Sequence, residues 1–183
     1  TVTEATSYQL EEAEDLGFTS STVIYEGPDT EFLVSGRATA LWYYRVRASN
    51  AGGDSAWSSV ESVGVLPEAP ELFTISNPDG NGRYLVDWSD VTGATSYQLE
   101  EAGDPEFTSS TVIYDGADTE YRVRGQGEGT WYYRVRASSP AGDGPWSNVE
   151  SAAVSSDTPA LAPISSSDGD YLLYWSEVTE AYS

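Results

Sequence analysis

The chain has 183 residues, 39% hydrophobic and 13% aromatic, so one or two packed domains are expected and wholesale disorder is not. Its formal net charge is −22, and all eight cations are arginine, with no Lys, His, Cys or Met. So acidic a surface repels phosphate backbones and anionic lipid, which argues against nucleic acid as a partner; zero Cys excludes disulfides, and no run of about 18 apolar residues is present to insert in a membrane.

In chain order the first element is ATSYQLEEA (5–13), which recurs at 94–102, an offset of 89 residues. The same offset joins TSSTVIY at 19–25 and 108–114, WYYRVRAS at 42–49 and 131–138, Trp57 and Trp146, and Pro70 and Pro159. Beyond Pro159 it becomes 87, because the turn NPDGNG (77–82) has shortened to SSDG (166–169), so that Trp88 is matched by Trp175. Each repeat alternates apolar and polar residues in short runs split by turn signals, the pattern of a β-sandwich or barrel. No window carries a 3.6-residue period, so essentially no helix is expected.

In the middle repeat the alternation predicts seven strands, over 71–76, 83–88, 96–101, 111–114, 120–124, 130–138 and 148–154, with Asp79-Gly80-Asn81-Gly82 as the turn between the first two. On the sixth strand Trp131, Tyr133, Val135 and Ala137 face one way, and Tyr132, Arg134 and Arg136 the other. The expected core is Trp88, Tyr97, Leu99, Tyr121, Trp131, Tyr133 and Val135.

This pattern resembles the fibronectin type III domain, as it occurs in repeats of bacterial secreted or cell-surface proteins. The residues that carry the resemblance are Trp88 on the second strand, Tyr97-Gln98-Leu99 on the third, and the aromatic-rich sixth strand from Trp131 to Ala137. The small-residue loop from Ser139 to Gly144 and the Trp146-Ser147 that follows complete it. The sixth strand opens on Trp131 where the family usually has Tyr. The resemblance implies an all-β fold of tandem seven-stranded sandwiches and says little about activity.

On this reading, residues 67–155 hold all seven strands, residues 1–66 only the third to seventh, and residues 156–183 the first two of a further unit. The last seven residues, EVTEAYS (177–183), repeat five of the seven in TVTEATS (1–7), so the length equals 89 plus 87 plus seven. A chain opening at Thr1 in mid-phrase is expected to be a processed or partial product. The linkers at 66–70 (LPEAP) and 155–159 (SSDTP) are short and Pro-containing, which favours a semi-rigid string.

No constellation for catalysis stands out. Without His, Cys or Lys the usual triads and zinc sites are absent. Glu11-Glu12 and Glu100-Glu101 lie in strands where neighbours point to opposite faces, so they do not pair and are read as solvated strand edges. Asp79-Gly80-Asn81-Gly82 and Asp168-Gly169-Asp170 are turn chemistry and lack the calcium-loop spacing. The expectation is a protein that is not an enzyme and has no cofactor or metal. Trp57 with Arg45 and Arg47, and Trp146 with Arg134 and Arg136, suggest an Arg–aromatic ladder rather than a sugar platform. Ser and Thr clusters at 19–22 and 108–111 are candidate carriers of O-linked glycan.

The functional expectation is a structural segment of an extracellular or cell-surface filament or stalk. Its partners are other copies of itself, head to tail: Tyr171, Leu173 and Trp175 of one copy pack on Tyr8, Leu10, Trp42, Tyr44 and Val46 of another, as in donor-strand complementation. The rival expectation is a spacer or polysaccharide-binding module of a secreted enzyme or adhesin.

Overall fold

The computed structural model describes residues 5–155, 161–164 and 171–175. The phrases at 1–4 and 177–183, the linker residues 156–160 and the turn at 166–169 lie outside the described residues. Among those described, every regular element is a β-strand and none is a helix. Two compact units separate, Thr1–Ala69 with Val91–Ser96 and Ala137–Pro145, and Pro70–Asp90 with Tyr97–Arg136 and Trp146–Ser183, a partition that does not follow the repeat boundaries.

In the first repeat β1 (Ser7–Ala13) is flanked by β2 (Thr22–Gly27) and by β3 (Ala40–Asn50), which also pairs with β4 (Gly53–Asp54) and β5 (Glu61–Val65). All of these form one sheet. Tyr8 lies opposite Ala48, Leu10 opposite Val46 and Glu12 opposite Tyr44, so the inner face is built from residues spaced by two on both strands. Residues 31–34, which align with the expected fifth strand, carry no strand.

The second repeat has two sheets. One, in the order β11-β10-β7-β8, comprises β7 (Ser96–Ala102), β8 (Ser110–Gly116), β10 (Gly129–Ser139) and β11 (Gly142–Trp146), with β12 (Glu150–Val154) also on β10. The other pairs β6 (Tyr84–Asp87) with β9 (Glu120–Val123), Tyr84 opposite Val123 and Val86 opposite Tyr121. The expected first strand at 71–76 shrinks to a single bridge, Leu72 opposite Trp88, held by Phe73 N–H to Asp87 O at 3.0 Å and Ser89 N–H to Glu71 O at 2.9 Å. The expected seventh strand, 148–154, is shortened to β12, and β11 forms over residues 142–146, which begin inside the expected loop. Ser147 lies between the two: its Oγ accepts from Val135 N–H at 3.0 Å and donates to the Asn148 carbonyl at 2.6 Å. The side chain there takes a backbone N–H of β10, while Ser147 N–H still donates to the Val135 carbonyl at 2.8 Å.

The two sheets meet over an aromatic core. The Trp88 ring lies 5.9 Å from Tyr97 and 5.8 Å from Tyr114, and the Tyr84 and Tyr133 hydroxyls are 2.7 Å apart. Trp88, Tyr97, Leu99, Tyr133 and Val135 are buried, while Tyr121 and Trp131 are only half-buried. Trp131 sits near the start of β10, where its Nε1–H donates back to the Gly127 carbonyl at 2.9 Å. Trp42 does the same to Ala38 at 3.0 Å. An indole here reaches the upstream backbone as the phenol of a tyrosine corner does. The β3–β4 and β10–β11 turns pass through Gly53 (φ 113°) and Gly142 (φ 126°), a backbone that a side chain at Cβ disfavours.

Candidate functional site

The same inward-facing residues are buried in one repeat and open in the other. Tyr97, Leu99, Tyr133 and Val135 are buried beneath β6 and β9; their counterparts Tyr8, Leu10 and Tyr44 are half-buried, and Val46 is 37% exposed where Val135 is at 0%. Ala152 and Val154 are buried on β12, whereas Val63 on β5 is exposed. The difference has one physical source. Among the described residues no strand equivalent to β6 lies over the first repeat's sheet or pairs with residues 31–34. Phe32 and Leu33 are accordingly exposed, although Phe32 keeps a ring contact with Tyr25 at 5.2 Å.

What remains is a groove of about 580 Å³, bounded by Leu10, Phe32, Val34, Arg37, Tyr44 and Val63, with a smaller hollow of about 240 Å³ beside it at Tyr8, Tyr25 and Val46. Arg37 anchors the groove's polar contacts, to Glu12 and to the Tyr44 phenol. Arg37 Nε donates to Glu12 Oε2 at 2.7 Å, and its guanidinium stands 5.7 Å from the Trp42 ring centre. Burial pushes the Tyr44 phenol up, with the Glu12 charge adding to it. In the closed repeat the arrangement differs: Tyr133 donates to Glu101 Oε2 at 2.6 Å, Tyr84 bonds Tyr133, and residue 126 is Gln. Burial there raises Tyr84 to about 12 and Tyr133 further still.

Residues 161–164 and 171–175 have the opposite problem. Leu161 bridges Trp175 just as Leu72 bridges Trp88, and Ala162 N–H donates to Tyr174 O at 2.8 Å in the place of Phe73 to Asp87. The two segments are therefore paired, but their apolar residues are bare: Leu161 is 57% exposed against 2% for Leu72, and Trp175 67% against 2% for Trp88. Ile164, Tyr171 and Leu173 are exposed as well.

On the outer face the two repeats carry the same set of residue contacts. Arg45 Nε and Nη2 both bond Glu11 Oε2, at 2.9 and 2.7 Å, and its guanidinium lies between Phe18 at 4.2 Å and Trp57 at 4.3 Å. Arg134 repeats this with Glu100, Phe107 and Trp146 at the same distances. Arg47 and Arg136 bond Gln9 and Gln98 and lie 4.7 Å from Trp57 and Trp146. The reading of the glutamate pairs as solvated edges is corrected: Glu11 and Glu100 are ion-paired, Glu12 is buried, and β1 and β7 are interior strands of their sheets. Neighbouring residues do point to opposite faces, but each face supplies a partner. Phe18 and Phe107 were not singled out from the sequence. The signal was Asp-x-x-Phe-Thr, at 15–19 and 104–108. Each Asp accepts from the Thr backbone N–H and hydroxyl, which lowers its pKa and holds the Phe at positive φ (52° and 54°) beneath the Arg.

Among the described residues no cluster of His, Cys, Asp or Glu could hold a metal, and no helix is long and apolar enough to cross a membrane.

No family model matches the chain. It is 28% identical over 146 residues to human fibronectin type-III domain-containing protein 3A, matching 75% of this chain and 12% of that protein, and 28% identical over 163 residues to the mouse protein. It spans about an eighth of the length of these relatives. Among solved structures it is similar to a two-domain fibronectin type III segment of chicken tenascin, with a TM-score of 0.63 over 84% of this chain and 87% of that one, at 13% identity. The fold is that of fibronectin type III. The curated relatives support homology to fibronectin type III domains.

Proposed function

We propose that the chain is a structural repeat of an extracellular or cell-surface filament or stalk, bacterial by resemblance, whose open fibronectin type III unit is closed by a hairpin from another copy. The observation that carries this reading is the paired exposure of one core: the groove over Leu10, Tyr44 and Val46 lacks a roof, and Leu161, Leu173 and Trp175 are a roof without a floor. The closed repeat supplies the template for their fit. Residues 1–66 then form the acceptor, 67–155 the complete domain and 156–183 the donor. Because donor and acceptor are different surfaces, the contact is heterologous and propagates as an open filament. The donor comes either from a separate chain or from the adjoining repeat of one continuous polypeptide. The polysaccharide-binding alternative is disfavoured by the outer face, where Arg45, Arg47, Arg134 and Arg136 occupy ring faces that a sugar would stack on.

The test is Trp175→Asp. Wild type should sediment with a mass that rises with concentration, and the variant as a monomer whose 67–155 domain still unfolds cooperatively. A variant that assembles as wild type does would overturn the proposal.

A further inference from the structure

Resting on that reading, we infer that the docked hairpin is held in register by a buried hydrogen-bonded chain running from the Tyr171 hydroxyl to the Tyr44 hydroxyl and on to the Glu12 carboxylate of the acceptor. The closed repeat contains the same chain from equivalent residues. Tyr84 and Tyr133 share a hydroxyl bond of 2.7 Å, and Tyr133 donates to Glu101 Oε2 at 2.6 Å. An offset of 87 carries Tyr84 to Tyr171, and one of 89 carries Tyr133 and Glu101 to Tyr44 and Glu12. In the open repeat Glu12 is already inside, occupied by Arg37 at 2.7 Å, and Tyr171 is exposed. Docking leaves Glu12 accepting from Tyr44 as well as from Arg37, and buries Tyr171 against a hydroxyl instead of water.

The chain matters because the apolar part of the interface specifies register weakly. A slip of one residue exchanges Tyr171, Leu173 and Trp175 for Leu172 and Tyr174, which are also apolar-rich. The true register puts a hydroxyl where the floor has one; a one-residue slip puts Leu172 there, so that Glu12 and Tyr44 are covered without the bond, and an unmade buried bond is costly. The closed repeat also shows which residue faces away: Tyr174 corresponds to Asp87, which is only partly buried.

A complementary pair of 183-residue chains isolates the contact. Trp175→Asp disables the donor and leaves the acceptor; Leu10→Asp disables the acceptor and leaves the donor. Mixed, they should form a one-to-one dimer whose Kd is read by sedimentation or titration. Tyr44→Phe in the first chain and Tyr171→Phe in the second should each weaken Kd by about threefold to tenfold, and both together by little more than either alone. Tyr174→Asp in the donor chain should leave Kd within about twofold, since the closed repeat tolerates Asp there. A dimer on which the two Phe substitutions have no effect, or multiply independently, or which Tyr174→Asp destroys, would overturn the inference while leaving hairpin donation intact. No dimer from the parent pair would overturn the donation itself.

Discussion

Two tryptophans with identical roles in sequence should respond very differently to truncation. Trp88 and Trp175 each bridge a leucine one strand away, but the first is 2% and the second 67% exposed. A tryptophan buries at most about 150–250 Å², worth about 4–6 kcal/mol at about 25 cal/mol per Å², and measured core truncations run at about 3–5 kcal/mol. Trp88→Ala should therefore cost about 3–5 kcal/mol, enough to unfold a marginal domain. Trp175→Ala in unassembled protein removes about a third of the same burial, about 1–2 kcal/mol, and that only from the hairpin. The assay is urea denaturation followed by tryptophan fluorescence, run dilute enough that no assembly occurs. In concentrated protein the Trp175 penalty should climb towards that of Trp88. A Trp88→Ala cost below about 1 kcal/mol, or equal costs in dilute solution, would refute the assignment of closed and open repeats.

Asn148 bonds both the N–H and the carbonyl of Leu72 at 2.9 Å, while its counterpart in the open repeat is Ser59; Asn148→Ser should destabilise the closed domain by about 1–2 kcal/mol in the same denaturation assay. The buried phenols set an alkaline limit. Tyr84 and Tyr133 have folded pKa values raised above 10, so their contribution to stability is complete below pH 10 and is lost as pH rises towards 12, which a series of melts from pH 8 to 12 would record. Chains of net charge −22 repel one another, so raising salt from about 0.01 to 0.15 M should strengthen assembly; sedimentation showing the reverse would mean ion pairs dominate the contact.

Much of this was legible because strands write their burial into a period of two. The alternation in WYYRVRA, repeated at an offset of 89, assigns Tyr133 and Val135 to the core and Arg134 and Arg136 to the outer face. What could not be read was partner-dependent. Residues 31–34 align by the repeat with β9, yet form no strand, because a strand needs the neighbour that β6 provides to β9. The first strand dwindled to one bridge for a related reason: its hold on the sheet is a side chain, Asn148, rather than a ladder. Glu12 was misjudged because charge suggests solvent, and only the fold brings Arg37, 25 residues further on, to neutralise it.

The account stands on whether the open repeat is closed by a hairpin such as 161–175, and hydrogen exchange read at residue level tests this most directly. As wild-type protein is concentrated, amides of 31–34 and of 171–175 should gain protection together, approaching that of Glu120–Val123 and Tyr84–Asp87, and should gain none in Trp175→Asp. Protection that appears in only one of the two segments, or that is the same at every concentration and in the variant, would contradict it.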